Sequence, residues 1–136
     1  MTGHALRFSW VPGKFAVCRL PSDAQLPDWT WSGLFSSVTR TEDELSIVCA
    51  ADGVPQEHKP KTPWVCLKLE GPFSFSEVGI LASVIGPLAE KGIPIFAIST
   101  FDTDYVLVGE DYAGTTQQAL RDAGHELWPK DKPSPQ

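Results

Sequence analysis

Two acidic side chains, Glu77 and Asp104, stand where one charge could recognise another. Glu77 falls in the first turn of a segment, Ser76 to Gly92, in which Leu81, Val84, Ile85 and Leu88 recur at i, i+3, i+4 and i+7 and predict a helix. Ser76 is its expected N-cap, Gly92 its C-cap, and Pro87 should kink it or make its last turn irregular. The free N–H groups at such a helix start carry about half a positive charge and would hold an α-carboxylate. Gly79 has no Cβ, so a ligand main chain could approach the backbone closely there. Asp104 ends the turn Phe101-Asp102-Thr103-Asp104 between two expected strands and could accept an ammonium, as could Glu77. Charge-assisted bonds of this kind are worth about 1.5–3 kcal/mol each. The pair suits a zwitterionic or cationic ligand. Each residue also has a structural use, because Glu77 complements the helix dipole and Asp102 and Asp104 are ordinary turn formers.

Other chemistry finds little support. His4, His58 and His125 are scattered with no HxH or HxxxH spacing, and Cys18, Cys49 and Cys66 make no CxxC pair, so no metal site is expected. The cysteines, each inside an apolar alternating segment, read as reduced core thiols. No Ser-His-Asp or Cys-His set sits on a recognisable elbow, and Gly71-Pro72 is too short to cradle a phosphate, so neither an enzyme nor a cofactor is expected. With 17 acidic against 11 basic residues the net charge is −6, which repels nucleic-acid phosphates and anionic lipid. Met1 to Trp10 lacks the features of a secretory signal and no apolar run nears the ~18 residues of a membrane span, so a cytoplasmic location is expected.

The elements that must position these residues follow from periodicity. A chain of 136 residues can bury about two thirds of its surface without staples, and five tryptophans argue against disorder. Alternation predicts strands at Lys14 to Leu20, Leu34 to Arg40, Leu45 to Ala50, Trp64 to Glu70, Ile93 to Thr100 and Tyr105 to Gly109. A second helix is expected over Tyr112 to Ala123, stopped by Gly124, with a last strand at His125 to Trp128. Residues 51–63 carry three prolines and read as a boundary. The second half then runs strand, helix, strand, strand, helix, strand, the ferredoxin-like order of an α+β fold with helices on one face of an antiparallel sheet. Matching Val38–Val48 with Ile98–Val108 at an offset of 60 residues suggests an internal duplication, the first copy degraded. The expected organisation is an abbreviated unit over 1–60, a fuller one over 61–128, and a disordered tail over 129–136. Trp29 and Trp31 would cap the core of the helix-poor first half or present a partner surface.

The blocks Phe73-Ser74-Phe75-Ser76-Glu77-Val78-Gly79-Ile80-Leu81-Ala82 and Ile98-Ser99-Thr100-Phe101-Asp102-Thr103-Asp104-Tyr105-Val106-Leu107-Val108 resemble ACT domains. The resemblance extends from about Phe15 to about Leu127. Its nearest branch includes the cytosolic arginine sensors of animals, the CASTOR proteins, and small bacterial proteins. It implies tandem ferredoxin-like ACT units and a ligand-binding regulatory module, generally for amino acids, with ligands held where two units meet. By position, Glu77, Gly79 and Ile80 match the loop and helix start that line the sensors' pocket. Thr100, Phe101 and Asp104 match the opposing strand end and turn, and Ser99 a serine supplied by the neighbouring unit. The sensors carry four units and this chain about two, so a complete pocket would require a homodimer. The function expected is a non-catalytic sensor of an amino acid or related metabolite. The alternative is a ligand-free interaction module assembling through ACT sheet edges.

Overall fold

In the computed structural model, residues 6–70 and 79–128 are described. The strands are β1 (Arg7–Leu20), β2 (Ser37–Arg40), β3 (Leu45–Ala50), β4 (Trp64–Glu70), β5 (Ile95–Ser99), β6 (Asp104–Gly109) and β7 (Glu126–Leu127). The helices are α1 (Ile80–Glu90) and α2 (Ala113–Asp122). All seven strands share one sheet of order β2-β3-β1-β4-β6-β5, with β7 parallel to the start of β1 and the other pairings antiparallel. The fold is the α+β, ferredoxin-like ACT fold, built twice with the first copy abbreviated.

β1 is the joint between the copies. Its start, Arg7 to Val11, pairs with β4, and its end, Phe15 to Leu20, pairs with β3. The strand therefore starts seven residues before the expected Lys14. Pro12 and Gly13 break the alternation in sequence, whereas in the sheet they occupy a register shift between Val11 and Phe15, with Gly13 at φ +99°. A bulge tolerates both a missing N–H and a positive φ. The start of β1 lies between β4 and β7, so the second copy's part of the sheet has five strands where a plain ferredoxin-like unit has four.

Side-chain alternation assigns the core. Phe8, Val65, Leu67, Leu69, Val106 and Val108 face α1 and α2, which supply Ile80, Val84, Leu88, Ala119 and Leu120. Farther along the same face, Ala16, Cys18, Leu20, Leu45, Ile47 and Cys49 pack under loops and 3-10 turns, with Trp29 at their margin. The other face is seamed by Phe15, Val48, Cys66 and Leu107, with Phe35 set edge-on against Phe15 at 6.0 Å and tilted against Tyr105 at 4.6 Å. Of the two tryptophans singled out in the sequence, Trp29 packs inward beside His58, and Trp31 is exposed.

The two copies are related at an offset of 59 residues, not 60. Arg40 and Ser99, Leu45 and Asp104, and Ala50 and Gly109 occupy the same strand ends. The 3-10 turns Ala51–Gly53 and Glu110–Tyr112 follow suit, as do the positive-φ glycines Gly33 and Gly92. A one-residue slip would turn every side chain to the opposite face of the sheet. The corrected register pairs buried Ile47 with buried Val106, and Cys49 with Val108.

The α1 helix passes through Pro87 and reaches Glu90. Proline has no N–H, so the Ser83 carbonyl, four residues earlier, lacks its helical donor. His125 Nε2, 2.8 Å away, donates to it, while Nδ1 accepts the Leu6 N–H at 3.1 Å. One neutral imidazole thus repairs α1 and ties it to the start of β1. Gly92 and Gly124, at positive φ, end the two helices as expected, and Ile93 N–H and His125 N–H return to Leu88 and Leu120 carbonyls. The expected Ser76 cap and the 129–136 tail lie outside the described residues.

Candidate functional site

The β5–β6 turn is built by threonines. Thr100 N–H donates to the Thr103 carbonyl at 2.8 Å, and Thr103 N–H donates to Thr100 Oγ1 at 3.2 Å. Thr103 Oγ1 in turn donates to the Leu69 carbonyl at 2.7 Å, pinning the turn to the far end of β4. Ser99 and Asp104 face each other across the ladder, and Ser99 Oγ donates to Asp104 Oδ1 at 2.5 Å. Alternation with Val106 and Val108 puts Asp104 on the helix-covered face, where it is half-buried and Ser99 is exposed.

Gly79 stands just before α1 at φ +80°, so the helix starts at Ile80 rather than running through the glycine. A left-handed residue cannot lie within a right-handed helix, and glycine takes that conformation at no steric cost. A Cβ added at Gly79 would meet nothing within 4 Å among the described residues. Among the described residues, no side chain caps the helix at this position. Ile80 is buried in the core cluster that also holds Leu69, the residue whose carbonyl accepts from Thr103.

Of the residues expected at the site, Gly79 and Ile80 stand at the start of α1, and Ser99, Thr100 and Asp104 at the β5–β6 turn. Phe101 projects from the turn tip, 88% exposed. Glu77 lies outside the described residues. Thr103 reads from the sequence as a turn former and not as a site residue, and it fixes the turn through Thr100 and Leu69. At the opposite end of the sheet, Trp64, Pro94, Gly109 and Tyr112 wall a groove of about 390 Å³ that includes none of the expected residues.

The three cysteines are free and buried. Burial pushes the Cys66 thiol up to about 12 and that of Cys49 to about 11, the latter aided by neighbouring Cys18, which is itself raised by burial. Protonated thiols of this kind are poor nucleophiles and poor metal ligands. Among the described residues no group of three or more His, Cys, Asp or Glu side chains could hold a metal ion. No described helix is long and apolar enough to cross a membrane.

Comparison with known proteins agrees with this architecture. A family model described as ACT domain matches residues 60–122, and a second, described as an N-terminal domain, matches residues 13–57. The human cytosolic arginine sensor for mTORC1 subunit 1 is 41% identical over 59 residues, 43% of this chain. This chain spans only 18% of that sensor's length. The human putative protein CASTOR3P is 34% identical over 87 residues, covering 54% of this chain and 53% of its own. The crystal structure of protein Atu0741 from Agrobacterium tumefaciens superposes with a TM-score of 0.86 at 43% identity, over 92% of this chain and 93% of that one. A Clostridium acetobutylicum aspartate kinase shares the fold alone, at 12% identity and a TM-score of 0.57 over 81% of this chain and 33% of its own. Alike in sequence and in fold across nearly their whole lengths, this chain and Atu0741 belong to one family of ACT-domain proteins, related over part of the chain to the CASTOR-type sensors.

Proposed function

We propose that the protein is a non-catalytic, cytoplasmic sensor that binds an amino acid or related amine-carboxylate metabolite at the corner between α1 and the β5–β6 turn. The observation that carries this reading is the Ser99–Asp104 pair, a hydroxyl and a carboxylate 2.5 Å apart on the helix-covered face. Asp104 would accept the ligand ammonium, and Gly79 leaves room for the ligand main chain. Relatedness to proteins named as arginine sensors supports the amino-acid class. The chain is read as two units, 1–60 and 61–128, with the pocket completed by a second copy in a homodimer.

A second reading is a ligand-free interaction module. It is favoured by the bond that Asp104 already accepts from Ser99 within the chain. Thermal denaturation of the intact protein with each of the twenty amino acids separates the two. A ligand at about 100 times its Kd adds about 2.7 kcal/mol, a rise of several degrees in Tm. The sensor reading expects such a rise for a small set of ligands and its loss in Asp104→Ala. No rise with any amino acid, or a rise that Asp104→Ala leaves intact, overturns it.

A further inference from the structure

The 59-residue correspondence sets Arg40 of the first repeat at the position of Ser99 in the second, and Leu45 at that of Asp104. The two turns are otherwise built alike: Thr41 N–H donates to the Glu44 carbonyl at 2.9 Å and Glu44 N–H to Thr41 Oγ1 at 3.2 Å, matching Thr100 and Thr103. The corner chemistry is reversed. Where the second repeat has a hydroxyl and a carboxylate, the first has a guanidinium and a fully buried leucine.

Arg40 is exposed, yet its guanidinium is held by the chain. Its Nη1 donates to the Ser22 carbonyl and its Nη2 to the Ala24 carbonyl at 2.8 Å, so the planar fork spans the loop that follows β1. That loop is itself a tight turn, with Ala24 N–H donating to the Pro21 carbonyl at 3.0 Å. Two carbonyl oxygens offered side by side form an acceptor pair that a guanidinium meets with two parallel donors and a lysine ammonium, a point charge, does not.

We infer that the corner of the first repeat is a guanidinium-binding site that the chain fills with its own Arg40. This deepens the sensor reading: one corner of each chain is occupied from within, which leaves the corner of the second repeat for a ligand. One amino acid per chain, not two, then follows.

The test is chemical rescue, and it involves no amino-acid ligand and no residue of the second repeat. Arg40 is exposed, so Arg40→Ala should fold. Amide hydrogen exchange at Ala24 should be about tenfold faster in this variant, because two charge-assisted bonds that hold the turn are lost. Methylguanidinium chloride at millimolar concentration should restore most of the protection, whereas sodium chloride of equal ionic strength should not. Arg40→Lys should behave as Arg40→Ala does without the additive. Unchanged exchange in Arg40→Ala, or a methylguanidinium effect no larger than that of sodium chloride, overturns the inference. Because the readout lies wholly in the first repeat, failure of amino-acid binding at Asp104 would leave this result standing, and the converse also holds.

Discussion

The first and second repeats share a strand plan but cover the same face of the sheet by different means. In the second, α1 and α2 lay Val84, Leu88, Ala119 and Leu120 over the sheet. In the first, single 3-10 turns at Asp28–Trp31, Ala51–Gly53 and Gln56–His58 stand in for helices, and Trp29 and Val54 fill the space beneath. An aromatic ring can replace a turn of helix as cover, but it offers no row of free N–H groups. The contrast teaches that one strand framework can carry a hydroxyl–carboxylate pair at one turn and, in the other copy, an arginine bonded to the loop after β1.

The largest break in this comparison should come at the seam the repeats share. Phe15 is buried between the copies, paired with Ala50 of the first and Trp64 of the second. Phe15→Ala should cost about 3–5 kcal/mol, the usual range for truncating a buried phenylalanine. Denaturant unfolding should show one transition shifted as a whole. Two separated transitions would mean that the repeats unfold independently and that the shared strand does not couple them.

Alkaline pH probes the seam and the first core through their thiols. Cys66, raised to about 12, and Cys49, to about 11, stay protonated when folded but ionise near their ordinary value of 9.0 when unfolded. The native state then holds more protons, so stability falls as pH rises from about 9 towards 11, with a limiting slope of about 1.4 kcal/mol per pH unit for each thiol. The contribution is fully present below pH 8. Urea midpoints measured from pH 8 to pH 10.5 check this, and replacing Cys66 with valine should flatten the decline. A decline of the same steepness in that variant would assign it to other groups.

The smallest effect on stability, and the sharpest on function, should come from making the second corner resemble the first. Asp104→Leu copies Leu45 and removes the partner of Ser99, at an expected cost of about 1 kcal/mol or less for this part-exposed bond. Any ligand-induced rise in Tm should vanish with it. A retained rise would place recognition elsewhere.

Much of the plan was legible along the chain. The bounds of β3 and β4 followed from alternation alone, and Gly92 and Gly124 marked the helix ends correctly. The start of β1 was hidden because Pro12-Gly13 looks like a break until a bulge absorbs it. Leu34 to Ser36 fell outside β2: Gly33 turns at φ +83°, Ser36 Oγ donates to the Thr30 carbonyl, and Phe35 crosses to the other face. The repeat was visible but misplaced by one residue, since the acidic clusters at 42–44 and 102–104 resemble each other better one step out of register. Only pairing in the sheet gives Asp104 its true counterpart, Leu45.

At the candidate site, the sequence by itself determined the turn and the acid that ends it, because hydroxyl and carboxylate side chains close turns through local bonds that depend on neighbours in the chain. It also determined the fold class, which periodicity and order of elements are enough to specify. Which residues meet was decided only by the tertiary structure: Thr103 reaching Leu69, His125 completing the carbonyl that Pro87 leaves unpaired, and Arg40 closing the loop after β1. Each of these bonds joins segments 16 to 42 residues apart. Such partners are set by strand order and register, which arise from packing the whole sheet rather than from any local run of residues.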